Sequence, residues 1–328
     1  MSSVIRVRGL VKRYGELEAV KGIDLDVSDG EVFGFLGPNG AGKSTTISIL
    51  CTLLKPTAGE VEVAGLDVMR HPDAVRHRLG LIFQDPSLDD QLTARENLEF
   101  HGFIYGLPAR VRKERIGEVL AMVGLEDRAE SQVRTFSGGM KRRLEIARGV
   151  MHHPDVLFLD EPTLGLDPQT RNHIWEYLLD LRRREGITLF MTTHYMDEAE
   201  FCGRIAIIDQ GTIVALGTPD ELKAKVGGDV ITISADDPEA LASEIDRAFG
   251  VATSFQGGNL RMEVADSSTF MPRLVRELSA PVKSLTLSRP SLDDVFIKLT
   301  GHAIRDENAG QLDQFRNMAQ VWRGGRRR

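Results

Sequence analysis

The stretch Gly37-Pro38-Asn39-Gly40-Ala41-Gly42-Lys43-Ser44-Thr45 constrains the fold more than any other feature of this 328-residue chain. An apolar run, Val32 to Leu36, precedes it, and a helical pattern, Ile47 to Leu54, follows. The order is therefore strand, phosphate-binding loop, helix. Glycines let successive main-chain amides turn inward around phosphate oxygens, and the start of the helix adds partial positive charge. Lys43 is placed to reach the outer phosphates of a nucleotide, and the Ser44 hydroxyl to ligate magnesium.

A second apolar run, Val156 to Leu159, ends in Asp160-Glu161. At a strand end beside such a loop, Asp160 can hold the magnesium shell, while Glu161 can polarise a water for attack on a γ-phosphate. Glu161 is the candidate general base. The run Leu189 to Met191 leads to His194, which places that residue at another strand end of the same sheet.

Strand-like runs alternate with longer amphipathic stretches from residue 1 to about 226, the pattern of an α/β domain with a largely parallel sheet. Gly227-Gly228 marks a linker. Beyond it the periodicity reads strand (Ile231, Ile233), helix (Pro238 to about Phe249), strand (Val251 to Phe255), strand (Leu260, Met262, Val264), helix (about Thr269 to Leu278) and strand (Val282 to Ser288), with a hairpin turn at Gly257-Gly258-Asn259. That βαββαβ order predicts a small ferredoxin-like α+β domain over 229–301. Ser291 and the acids Asp293 and Asp294 cap a last helix, Val295 to Leu299. Residues 302–328 read as a polar tail ending in Arg326, Arg327 and Arg328, either an inert solubilising end or a contact for anionic lipid.

Composition narrows the partners. A formal net charge of −7 lacks the positive field of a dedicated nucleic-acid binder, so no nucleic acid is expected. The two cysteines, Cys51 and Cys202, sit in apolar settings without metal-ligand spacing and predict neither a disulfide framework nor a zinc site. The first residues alternate apolar and charged side chains and carry no signal-peptide h-region, and no run approaches the ~18 apolar residues of a membrane span. The reading is a cytosolic chain whose membrane role, if any, runs through a partner.

Between the loop and the acidic strand end stands Phe136-Ser137-Gly138-Gly139-Met140, opening a helical pattern in which Met140, Leu144, Ala147 and Met151 recur at helical spacing. With this motif the chain resembles the nucleotide-binding subunits of ABC transporters. The resemblance implies a P-loop NTPase fold of ABC type with a helical subdomain at about 86–150. It also implies that two such chains pair head to tail around ATP and Mg2+, so that Ser137, Gly138 and Gly139 close over the γ-phosphate held by the partner's loop. Further landmarks follow in the family's order. Tyr14 corresponds to the aromatic that stacks on adenine, Gln84 to the glutamine that contacts magnesium and the attacking water, Asp167 to a dimer-contacting loop, and His194 to the switch histidine. Stacking alone tolerates any purine, which leaves GTP open. Lys141, Arg142 and Arg143 read in two ways: as charges opposing the helix dipole unless an anion is near, or as a solvated basic face.

The motif departs from the family's commoner form at Phe136 and Met140 and keeps the Ser-Gly-Gly that would touch phosphate. Together with Arg289-Pro290-Ser291-Leu292-Asp293-Asp294-Val295-Phe296 and Leu299-Thr300-Gly301, the variant is similar to the daunorubicin-resistance subfamily of drug-export ATPases, over nearly the whole chain to about residue 305. It implies an ATP-hydrolysing subunit working as a homodimer beneath integral membrane permease subunits, peripheral to the cytoplasmic face of the membrane and driving efflux of a drug or lipid. The segment between Gln84 and Ser137 is then the surface that meets the permease. Two alternatives share the chemistry: the ATPase of an importer whose C-terminal domain senses substrate, and a non-transport ATPase acting on ribosomes or DNA. For the C-terminal domain, a dimerising or stabilising role without ligand is the plainer expectation.

Overall fold

The computed structural model describes residues 3–84, 87–225, 227–256, 259–278 and 281–301. The chain divides into two compact units between Leu216 and Gly217.

In the first unit, β1 (Ser3–Tyr14) and β2 (Leu17–Ser28) form an antiparallel pair. β3 (Val32–Leu36) follows and leads through the glycine-rich loop into α1 (Lys43–Leu50). β4 (Ala58–Val63) and β5 (Leu66–Asp67) complete a first sheet of order β2-β1-β4-β5. Next come α2 (Pro72–Arg78) and β6 (Leu79–Ile82), then the helices α3 (Ala94–Ile104), α4 (Ala109–Met122) and α5 (Gly138–Gly149). β7 (Val156–Asp160), α6 (Pro168–Glu185), β8 (Thr188–Thr193), α7 (Met196–Ala199), β9 (Arg204–Asp209) and β10 (Thr212–Gly217) close the unit.

The second sheet has the order β10-β9-β3-β8-β7-β6, and β9, β3, β8, β7 and β6 pair in parallel. Its central strands are continuous apolar runs, as a sheet covered on both faces requires. Every residue of β3 and β8 is buried, and Phe190 stacks on Phe33 at 5.5 Å and lies 5.4 Å from Phe158. α6 buries Ile174, Trp175, Leu178 and Leu181 along one stripe. Asp167 caps its start, Pro168 opens its first turn, and Gly186, at φ 69°, ends it.

α1 starts at Lys43 and stops at Leu50, four residues earlier at each end than the periodicity suggested. The loop passes directly into the helix, with Thr46 N bonded to Gly42 O. Thr52, at φ 63°, cannot continue a right-handed helix. Cys51 and Cys202 are both free and buried.

The second unit begins with α8 (Pro219–Ala224), followed by β11 (Asp229–Ala235), α9 (Pro238–Phe249), β12 (Thr253–Gln256), β13 (Asn259–Val264), α10 (Ser267–Glu277), β14 (Val282–Ser288) and α11 (Leu292–Thr300). The antiparallel order β12-β13-β11-β14 is the ferredoxin-like arrangement. Ile231, Ile233, Leu260 and Met262 form its core with Leu241, Ile245 and Leu274 from the two covering helices. The first unit ends ten residues before the linker suggested by Gly227-Gly228, because α8 packs on α11 and belongs with the second unit. Gly257, Gly258 and the tail at 302–328 lie outside the described residues.

Candidate active site

Three adjacent parallel strands, β3, β8 and β7, end side by side, and each end delivers part of one cluster. Gly37 N donates to Thr193 O at 3.3 Å, and Glu161 N donates to Thr192 O at 3.2 Å. The glycine loop, Asp160-Glu161 and His194 thereby converge at the carboxyl edge, where ligands of open α/β sheets bind.

Within the loop, Gly40 (φ 80°) and Gly42 (φ 108°) hold left-handed conformations that turn the amides inward. A Cβ on Gly37 would lie 2.3 Å from Ile208 O, and one on Gly42 would lie 2.7 Å from Ala19 O, so β9 and β2 press directly on the loop. Lys43 is 5% exposed and donates from Nζ to Gly37 O (2.7 Å) and Pro38 O (3.1 Å). Its Nζ lies 3.5 Å from Glu161 Oε1. Burial lowers the Lys43 ammonium from its ordinary pKa, opposed by the charges of Glu161 and Asp160. Pro38 is half-buried, Asn39 and Ser44 are exposed, Ala41 is buried, and Thr45 is partly buried.

Glu161 is itself in the left-handed region (φ 46°), a strained setting for a non-glycine residue and one often found at functional sites. Its Oε1 is 3.1 Å from His194 Nδ1. Burial alone would raise the Glu161 carboxyl, but the hydrogen bond to His194 and the charge of Lys43 outweigh it and hold the group below the usual carboxylate value. Asp160 Oδ1 accepts from Thr192 Oγ1 at 2.5 Å, and the same Oγ1 accepts from Glu161 N at 3.1 Å. One fully buried threonine thus orients both acids. Thr192 was not singled out in the sequence, where a hydroxyl residue closing an apolar strand is the only signal.

Behind the cluster lies Glu198, 1% exposed, whose carboxylate accepts from the hydroxyls of Thr163 and, at 2.6 Å, Thr193. Burial raises its pKa.

Other residues named from the sequence lie elsewhere. Tyr14 ends β1, 47% exposed, with Lys12 Nζ 5.1 Å from its ring centroid. Gln84 follows β6 and is exposed. Ser137 caps α5 through its bond from Met140 N (3.3 Å), and Gly139 faces Thr170 at the start of α6, where Asp167 is the cap. Among the described residues, no hydrogen bond or ion pair joins Ser137, Gly138, Gly139 or Asp167 to Lys43, Asp160 or Glu161. The basic run after the motif is neither a solvated face nor a set of charges awaiting an anion: Lys141 pairs with Asp90 at 2.7 Å, Arg142 is 6% exposed, and Arg143 donates to Val123 O at 2.9 Å.

The donor set fits a nucleotide with magnesium. Ser44 offers an exposed hydroxyl and Asp160 a second carboxylate oxygen, hard donors of the kind magnesium takes in small number alongside phosphates and water, and Gln84 carries an amide oxygen of the same kind beyond the end of β6. No helix among the described residues is long and apolar enough to cross a membrane.

Comparison with known proteins matches both units of the chain. The ABC transporter family model matches residues 20–164, and the model of the C-terminal domain of DrrA1-3-like ATP-binding proteins matches residues 217–300. The chain is 42% identical over 313 residues to the daunorubicin resistance ATP-binding protein DrrA3 of Streptomyces coeruleorubidus, covering 94% of this chain and 99% of that one. It is 40% identical over 318 residues to the linearmycin resistance ATP-binding protein LnrL of Bacillus subtilis (strain 168), covering 92% and 100%. It is also 40% identical over 308 residues to the Nod factor export ATP-binding protein I of Ralstonia nicotianae, covering 92% and 95%. Among solved structures, a dimeric ATP-binding cassette in a post-hydrolysis state with ADP and Pi aligns with a TM-score of 0.59 and 31% identity, over 65% of this chain and 98% of that one. CbiO1 of Clostridium perfringens aligns with a TM-score of 0.65 and 26% identity, over 76% and 97%. Matched in both units and along nearly its whole length, the chain belongs to the ABC transporter ATP-binding subunits, in their daunorubicin-resistance branch, and is an ATPase.

Proposed function

We propose that this ATPase drives export of a drug or lipid through separate membrane permease subunits, as a head-to-tail dimer peripheral to the cytoplasmic face of the membrane. The convergence of Lys43, Asp160, Glu161 and His194 at three neighbouring strand ends carries the chemical part of the reading. The exporter part is supported by relatives named for drug resistance and Nod factor export.

The loop amides and Lys43 bind the phosphates of ATP, and Tyr14 stacks on the base. Ser44, Asp160 and Gln84 would hold Mg2+, which would supply charge neutralisation at the phosphates. Glu161 takes a proton from the attacking water. His194, hydrogen-bonded to Glu161, keeps that carboxylate oriented, and Lys43 on the same oxygen keeps it ionised. Ser137, Gly138 and Gly139 of a second copy close over the γ-phosphate, with Asp167 at the contact. Phe100, Phe103 and Ile104 on α3 are all more than half exposed, and Phe100 and Ile104 border a cavity of about 310 Å3 with Ser87, Asn97 and His101. An apolar face of this kind on the α3 segment suits a permease contact.

The test is the Glu161→Gln chain, tagged and purified from its native membranes. The expected result is retained ATP binding, turnover reduced by about 10²–10⁴, an ATP-dependent dimer in light scattering, and a co-purifying polytopic membrane protein. Undiminished hydrolysis, or recovery with ribosomes or nucleic acid alone, overturns the reading.

A further inference from the structure

α5 carries Ser137 to Gly139 at its start and also a buried polar face further along. Arg142, Glu145 and Arg148 lie three residues apart, on one side of the helix, and Arg142 and Glu145 are 6% and 0% exposed. The Arg142 guanidinium is spent on main chain from two separate segments. Nη1 donates to Phe83 O (2.6 Å), Nε to Pro162 O (2.5 Å) and Nη2 to Glu161 O (3.5 Å). Phe83 precedes Gln84; Glu161 and Pro162 are the candidate base and the residue after it. Glu145 holds Arg142 from the other side, Oε2 to Nη1 at 2.9 Å, while its Oε1 accepts from Ser87 N at 2.8 Å. Arg148 completes the arrangement by donating to Ser87 O at 2.5 Å and to the Ser87 hydroxyl. Residues 83 and 87 are therefore both tied to α5, on either side of Gln84, and the same helix is tied to the back of Glu161.

The helix is also close-packed on the strands beneath. A Cβ on Gly80 of β6 would lie 2.3 Å from Gly149 O, which leaves α5 no slack to slide over β6. A fully hydrogen-bonded buried ion pair adds little net stability compared with apolar packing, so its placement here points to a geometric role.

We infer that Arg142 is a positioning residue. With Glu145 and Arg148 it locks the segments bearing Gln84 and Glu161 to the helix that presents Ser137–Gly139, so that the groups expected to hold the attacking water shift as one body with that helix. This rests on the roles proposed above for Glu161 and Gln84. Lysine cannot substitute, because one ammonium with three donors cannot meet three carbonyls and a carboxylate in a plane.

The decisive variant replaces the pair with apolar residues of similar size, Arg142→Met with Glu145→Leu in the full chain, measured beside Arg142→Lys and Glu161→Gln. Expected for the double variant is a cooperative thermal transition, a dissociation constant for MgATP within about threefold of wild type, and kcat lower by about tenfold or more, as misplaced reacting groups require. Arg142→Lys should also keep MgATP affinity and lose kcat by at least about threefold. A folded double variant with wild-type kcat overturns the inference, and if the double variant does not fold, wild-type kcat in Arg142→Lys does so instead. Equal losses in kcat and affinity in the folded variants also overturn it, since they report general loosening of the site. Glu161→Gln separates the two readings: full activity there removes the proposed base, whereas an inactive Glu161→Gln beside fully active Arg142 variants removes the positioning role alone.

Discussion

Two glycines of one loop should fail for different reasons when changed to alanine. Gly37 lies outside the left-handed region, but a methyl carbon there would stand 2.3 Å from Ile208 O and 3.0 Å from Ile208 Cγ2, where side-chain carbons essentially never come within 3.0 Å of a backbone atom. The main chain must then give by at least about 0.7 Å, and the obstacle is the neighbouring strand itself, so the cost lies at the upper end of overpacking, about 3 kcal/mol. Gly40 has nothing within 4 Å, but its φ is +80°, so alanine there pays only for a left-handed residue, about 1 kcal/mol. For a unit of this size the melting temperature should drop by about 6–12 °C for Gly37→Ala and about 2–4 °C for Gly40→Ala. Gly37 also presents the carbonyl that receives Lys43 Nζ at 2.7 Å and the amide that bonds Thr193 O, so its displacement should weaken ATP binding by about tenfold. Urea unfolding at constant slope and equilibrium titration with a fluorescent ATP analogue give both quantities. Equal destabilisation by the two substitutions, or a greater loss at Gly40, refutes the steric argument.

Thr192→Val should remove the hydroxyl that orients Asp160 and Glu161, costing about 1 kcal/mol in denaturant unfolding and about 10–100-fold in apparent Mg2+ affinity during hydrolysis. The folded-state pKa of Glu161 is depressed, so its interactions stabilise the fold above the unfolded carboxylate value and are lost as pH falls through the lower folded value. His194→Ala should move the acidic limb of the kcat profile upward, which steady-state rates across pH would detect. Chelation of divalent metal should stop hydrolysis and leave the nucleotide-free melting temperature unchanged, because among the described residues no cluster of three acidic, histidine or cysteine side chains is built to hold a cation. Ile233→Ala, at the centre of the second core, should cost about 2–5 kcal/mol in that unit and leave the dissociation constant for MgATP unaltered in titration calorimetry.

What could be read in advance tracks how local the determinant is. The glycine loop was legible because its backbone is dictated by residues next to one another, and Asp160, Glu161 and His194 because they lie within three residues of the end of a short apolar run that reads as a strand. The ferredoxin-like order came from alternation that switches period at Pro238 and again near Thr269, the second helix beginning two residues earlier, at Ser267. Arg142 was opaque: within Lys-Arg-Arg nothing distinguishes the buried member except an acid three residues on, Glu145, and its carbonyl partners come from residues 83 and 161–162, far along the chain. Thr192 hid in the same way, since its work depends on β7 lying beside β8. The early boundary at Gly217 did have a local sign, the capping box of Thr218 and Glu221 around Pro219, which the more conspicuous glycine pair downstream overshadowed.

The strand order also bears on how the protein is made. β3 has no neighbour close in sequence: one flank is filled by Thr188–Thr193 and the other by Arg204–Asp209. At about 5–20 residues per second, the ribosome needs roughly 9–35 s after finishing β3 before its second flank has been synthesised. Until Thr188–Thr193 has been made, five residues destined for full burial, with two phenylalanines among them, have no neighbouring strand of their sheet to join. The cluster of Lys43, Glu161 and His194 therefore cannot be complete until well over half of the chain exists, and until then Val32–Leu36 is an apolar segment without its partner strands.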